Sequence, residues 1–140
     1  MDWDVRLSRG GGAMTKILNL TQHTPTPEQT AAGVVDPESP WKEGIQRALT
    51  FEDLPTKEEI QKRAEALAKI AEITKGIYGH DAAMIGGAPY LMSALERELK
   101  KRGIKPLYAF SKREVVEEQL PDGSVRKTQV FRHLGFVEVE

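Results

Sequence analysis

The sequence predicts an α/β domain: a mostly parallel sheet interleaved with helices and closed by a C-terminal antiparallel β-hairpin. Three observations point to it. Two short apolar runs, KILNLTQ from Lys16 and AAMIG from Ala82, have the length and composition of buried strands. The segments between and after them carry apolar residues at helical spacing and end on glycine. The last part of the chain alternates charged and apolar residues on both sides of Pro121-Asp122-Gly123, which reads as a hairpin. Strands that alternate with helices argue for a parallel core.

In chain order, Met1 to Ala13 (MDWDVRLSRGGGA) show neither apolar period and close on three glycines. They are expected to form a flexible extension, with an edge strand from Trp3 to Leu7 as the alternative. The domain is then residues 14–140. After the first strand, Thr26 with Gln29 three residues on forms a capping box, and Pro27 suits the first helical position. Gly33 ends that short helix, and Val34-Val35-Asp36 reads as a second short strand. A helix around Lys42 to Leu49 follows within an irregular, proline-bearing stretch.

Thr56 and Glu59 make a second capping box. Ile60, Ala64, Leu67 and Ala71 form the buried stripe of a helix expected to fade around Lys75 and Gly76. The best-specified helix starts near Pro89. Leu91, Leu95 and Leu99 line one face, and Lys100, Lys101 and Arg102 complement the negative end of its dipole. Gly103 closes it, and KPLYAF is the next strand, expected to end before Ser111.

Composition narrows the function classes. A chain of 140 residues with 39% hydrophobic and 29% charged residues suits one folded domain. The formal charge of -1 gives no general basic field for duplex nucleic acid or an anionic membrane. With no cysteine, disulfides, thiolate metal sites and cysteine nucleophiles are excluded. No apolar run approaches a membrane span, so the expected compartment is the cytoplasm.

Chemistry in an open α/β sheet gathers beyond the carboxyl ends of the strands. Three polar clusters are expected there: Thr21-Gln22-His23-Thr24, Gly86-Gly87-Ala88-Pro89-Tyr90, and Ser111-Lys112-Arg113-Glu114. The glycine pair permits close approach of backbone to a ligand, and the helix start presents free N–H groups to an anion. Lys112 and Arg113 would add positive charge, while Thr21, Gln22 and Ser111 would hydrogen-bond a ribose or base. Taken alone, GGAPY matches neither the dinucleotide fingerprint nor the phosphate-loop consensus, and a tight strand-to-helix turn is the better explanation of it. His23 is a candidate acid–base group at the rim. His80 reads as a solvated loop residue, and His133 as a hairpin residue with a local hydrogen-bond partner. The histidines are scattered without metal-ligand spacing, so neither a metal nor a cofactor is expected.

In their order along the chain, TQHT, TPEQ, ALTFEDLPT, MIGGAPYLMSALERELKKRGIKPLYAFSKRE and DGSVRKTQVFRHLGFVEV resemble a small CRISPR-associated family. Its members are similar to the CARF sensor domains that bind cyclic oligoadenylates, and several such families are proposed or known ring nucleases. The resemblance covers most of Lys16 to Glu140. It implies a Rossmann-like, three-layer fold and a homodimer with a cyclic oligoadenylate across its two-fold axis. Cleavage would use no metal. Gln22, His23, Gly86, Gly87, Ser111, Arg113 and His133 carry over as candidate site residues, with His23 and Arg113 in the catalytic roles. Where family members more often have serine–histidine after the first strand, this chain has Thr21, Gln22 and His23. A non-catalytic nucleotide binder, acting as sponge or regulator, and a small nucleotide-metabolising enzyme are the alternatives.

Overall fold

The computed structural model describes residues 15–140, so the expectations for Met1–Ala13 lie outside the described residues. Nine elements follow in order: β1 (Ile17–Leu20), α1 (Pro27–Ala31), β2 (Val34–Val35), α2 (Trp41–Leu49), α3 (Lys57–Tyr78), β3 (Ala82–Ile85), α4 (Pro89–Lys101), β4 (Lys105–Gln119) and β5 (Val125–Glu138). The local signals account for most boundaries. At Thr26 the full capping box forms, with Gln29 N–H donating to the threonine hydroxyl and the Gln29 side chain accepting from Thr26 N–H. At Thr56 only half of it forms, because the Glu59 carboxylate turns forward to Arg63. The third helix does not fade at Gly76. It runs on to Tyr78 and stops at Gly79, whose φ of 74° is the left-handed closing conformation.

The sheet order is β2-β1-β3-β4-β5, with the first four strands parallel and β5 antiparallel to β4. This is a Rossmann-like layout. The chain leaves β1 for β2 through α1, then crosses back past β1 through α2 and α3 to reach β3. Strand order therefore reverses between β1 and β3.

The two faces of the sheet are covered unequally. Leu18, Leu20, Ala83 and Ile85 point one way and pack with Ile45, Leu49, Leu67, Leu91, Leu95 and Leu99 of α2, α3 and α4. Ile17, Val34, Ala82, Met84, Leu107 and Phe136 point the other way into a smaller cluster, joined by Ala32 beside α1. Alternation on β1 and β3 thus buries both faces, as expected of central parallel strands. The third layer is thin, because α1 has five residues and none of them is buried.

The largest departure from expectation is at β4. KPLYAF is only the start of a strand of 15 residues that continues through Ser111-Lys112-Arg113-Glu114 to Gln119. It pairs with β5 along nearly its whole length, whereas its pairing with β3 stops at Leu107 opposite Met84. Residues beyond Phe110 therefore form a two-stranded arm that leaves the body of the sheet. A register shift between Phe110 and Ser111 marks the departure, opposite Leu134 and Gly135.

Candidate functional site

Asn19 organises the carboxyl end of β1. It is a polar residue in an otherwise apolar strand and is only 2% exposed. Its Oδ1 accepts from the Thr21 backbone N–H (3.0 Å) and the Thr21 hydroxyl (2.7 Å). Its Nδ2 donates to the His23 carbonyl (2.8 Å) and to Asp36 (3.1 Å), which in turn pairs with Lys42 at 2.9 Å. Burying an amide is costly unless its hydrogen bonds are made, and here they fold the TQHT turn back over the strand end. The Thr21 hydroxyl proton is committed to this network. Thr21 is thereby a turn-former before it is a ligand donor.

Gln22 points to the neighbouring helix. Its Nε2 donates to Thr50 Oγ1 (2.9 Å), just past the end of α2, while Thr50 donates to the Gln46 carbonyl. Arg63 of α3 fixes the same helix end. Its guanidinium donates to the carbonyls of Arg47, Ala48 and Thr50, pairs with Glu59, and lies 4.7 Å over the Phe51 ring. The last carbonyls of α2, which lack partners within the helix, are satisfied in this way.

The glycine turn stands beside these groups. Thr21 Cγ2 lies 3.6 Å from where a Gly86 Cβ would be, and Leu49 Cδ2 lies 3.7 Å from the corresponding Gly87 position. Gly87 has φ 140°, which a residue with a side chain adopts only under strain. Ala88 then starts α4 with no side chain capping it. Tyr90 is half exposed, with its ring edge-on to Phe51 at 5.2 Å.

Gln22, Thr50, Phe51 and Tyr90 thus link the strand ends to a hollow of about 830 Å³ between the end of α2 and the start of α3. Gln46, Thr50, Phe51 and Arg63 line it, with Glu43, Glu52, Asp53 and Glu59 outnumbering Arg47 and Arg63. That acidic excess suits hydroxyls or a base better than phosphate. On the other side of Gln22, a small cavity of about 30 Å³ is bounded by Asn19, Thr21, His23, Thr24 and Asp36.

The remaining candidates lie elsewhere on the same edge. Gln22, Gly87 and Ser111 all follow the carboxyl ends of parallel registers, so the expected common edge is present. However, Ser111, Lys112 and Arg113 sit within β4 and interact with β5. Ser111 pairs in register with His133, Lys112 with Arg132, and Arg113 with Phe131, whose ring lies 5.3 Å from the guanidinium. His133 packs edge-on against Phe136 at 4.8 Å, and neither ring nitrogen has a hydrogen-bond partner among the described residues. The local partner expected for it is missing, and burial holds its pKa below the ordinary histidine value.

His80 is also corrected. It is fully buried, with Nε2–H donating to the Ala71 carbonyl at 2.7 Å, and desolvation lowers its pKa. Among the described residues no group of three or more His, Cys, Asp or Glu is placed to hold a metal ion. No described helix is long and apolar enough to cross a membrane.

A family model described as the Uncharacterized protein MJ1673 family matches residues 15–137. The chain belongs to this family. The match spans the strand ends, the glycine turn and the arm together, so all the candidate residues fall within the family's extent. No curated protein and no solved structure matches the chain.

Sequence reasoning missed Asn19, Asp36, Thr50, Phe51 and Arg63. Asn19 carried the one available signal, a carboxamide interrupting an apolar strand. The register of β1 with β2 brings Asp36 beside Asn19, and Thr50, Phe51 and Arg63 become neighbours of the site only through the crossover that brings α2 and α3 past β1.

Proposed function

We propose that the crevice between the carboxyl ends of β1 and β3 binds a cyclic oligoadenylate or a related signalling nucleotide. One observation carries this reading. Strand order reverses between β1 and β3, and ligands of open α/β sheets bind at that reversal. There Thr21, one residue before Gln22, lies against Gly86, and α4 starts uncapped just after Gly87. A phosphate would take backbone N–H groups at the helix start other than those of Pro89, which has none, and Leu91, which donates to the Ala88 carbonyl. A base would stack beside Tyr90 and Phe51, and ribose hydroxyls would meet Gln22 and Thr50.

Cleavage, as proposed, needs only the ligand's own 2′-hydroxyl. His23 removes its proton, the 2′-oxygen attacks the neighbouring phosphorus, and the bond to the 5′-oxygen breaks. The 5′-oxygen leaves as a hydroxyl, protonated by water, while His23 returns the proton it removed to solvent, and the other product end is a 2′,3′-cyclic phosphate. Positioning for in-line attack and stabilisation of the developing phosphate charge would supply the rate. The proposal includes a cytoplasmic homodimer, since a ring with internal symmetry fits two identical sites. It does not include duplex nucleic acid as a partner.

A second reading, binding without cleavage, is favoured by one feature. Among the described residues the hydrogen bonds of His23 use its backbone, and none of them orients the imidazole for proton transfer. The test is incubation with cyclic oligoadenylates of several ring sizes in the presence of chelator, followed by chromatography of the bound and free fractions. Linear products with cyclic-phosphate ends are expected. Tight binding with unchanged ligand selects the second reading, and absence of binding for every ring overturns both.

A further inference from the structure

The arm formed by β4 and β5 has properties that the nucleotide reading does not use. A two-stranded ribbon is at best marginally stable in water, and three or more strands are normally needed. Beyond Phe110 no described strand pairs with the outer edge of β4, because β3 ends at Ile85. Val115 is 60% exposed and Phe131 66% exposed, on one face of the arm, and Val116 and Val130 are also exposed, on the other. Open edges with apolar side chains on both faces are templates for another strand.

We propose that a second copy of this chain fills that edge, with β4 pairing antiparallel to β4 of the partner about a two-fold axis at Val115. The sequence of the edge selects both occupant and register. From Ser111 to Gln119 it reads Ser-Lys-Arg-Glu-Val-Val-Glu-Glu-Gln. A two-fold axis perpendicular to the sheet must pass through a residue, since directly opposed side chains share a face. Centring on Glu114 sets that carboxylate against its own copy. Centring on Val116 sets Glu114 against Glu118. Centring on Val115 sets Arg113 against Glu117, Lys112 against Glu118 and Ser111 against Gln119, with no like charges opposed.

The charges left over within one chain agree. Glu114, Glu117 and Glu118 already pair across the hairpin with Arg132, Lys127 and Arg126. Among the described residues Lys112 and Arg113 form no ion pair, and Lys112 stands opposite the like charge of Arg132. In the dimer each would join a carboxylate that already has one cation, giving a mixed network on each face. The other edge does not offer this. From Val125 to Leu134, β5 carries Arg126, Lys127 and Arg132 and no acidic residue, so self-pairing there would oppose cations. Pairing through β4 makes the two arms one four-stranded sheet. This inference stands without the ligand reading.

The experiment measures oligomeric state by light scattering and sedimentation for the full chain and three variants. The wild-type chain should be a dimer through the micromolar range. K112E/R113E should be monomeric with an unchanged circular dichroism spectrum, since it leaves the intrachain ion pairs in place. E117K/E118K should fail to dimerise alone, yet an equimolar mixture of the two variants should recover a dimer, because each new charge then meets its opposite. In a chain without cysteine, V115C should oxidise to a covalent dimer, as opposed Cβ atoms in a strand pair come within about 5 Å. A monomeric wild type, a K112E/R113E dimer, a mixture that stays monomeric, or V115C that does not cross-link would each overturn the proposal.

Discussion

Leu107 and Val115 lie on one strand, on the same side of its pleat. Leu107 is fully buried, in contact with the smaller core cluster, and Val115 is 60% exposed. The difference is not residue type. It is what stands next to the strand: β3 flanks β4 at Leu107 and is absent at Val115. In the body of the sheet, alternation selects which side chains are buried, and neighbouring elements supply the cover. In the arm the same alternation produces two exposed faces that no described element covers.

That contrast can be broken at several points, beginning with the largest effect. Leu95→Ala removes a fully buried side chain of α4 from the main core, and the folded state should lose about 2–5 kcal/mol, read from urea unfolding. Next is Asn19→Ala. It deprives the Thr21 amide and hydroxyl of an acceptor and Asp36 of a donor, and should cost about 1–3 kcal/mol. If the Thr21–Thr24 turn holds a ligand, the same variant should also weaken nucleotide binding, measured by titration calorimetry.

Acid sensitivity should come from groups shifted in the folded state, chiefly Glu98 and His80 in the body, with His133 at the base of the arm acting as His80 does. Hydrogen bonds from Lys101 and Arg102 hold the buried Glu98 carboxylate down to about 2, against an ordinary value of 4.5. A carboxylate depressed in the folded state adds stability that is full above its unfolded value and is lost as pH falls toward the folded one. His80 acts in the same direction. Its neutral ring is buried and its pKa lies below 6.5, so the unfolded chain takes up the proton first as pH drops. Stability should therefore begin to fall below about pH 6.5 and fall further between 4.5 and 2, with the second part reduced in Glu98→Gln. The smallest effect is expected in the arm. Val130→Thr, measured in the monomeric K112E/R113E background, should change stability by no more than about 0.5 kcal/mol, since the residue is exposed there.

The same contrast explains what could be read in advance. Helix starts at Thr26 and Thr56, the leucine face of α4 and the apolar runs of β1 and β3 are local signals, and each sits where its pattern placed it. The strand order has no local signal. Nothing in the sequence of Ile17–Leu20 says that β3 lies on one side of it and β2 on the other, so the reversal that defines the candidate site emerged only from topology. The arm escapes a reading of the sequence for the opposite reason. A charged stretch such as Ser111–Glu114 reads as a loop when the strand it continues is sought by its apolar content, yet strand pairing needs only backbone and register. His80 reads as solvated because one loop residue has no period, and its burial beneath α3 is a tertiary fact.

The most direct test of the proposed function maps backbone amide chemical shifts on titration with a cyclic oligoadenylate. Binding at the strand reversal should move the amides of Thr21–Thr24 and Gly86–Tyr90, with smaller changes at Thr50 and Phe51. Changes confined to residues 111–133, or none at any ring size, would contradict it.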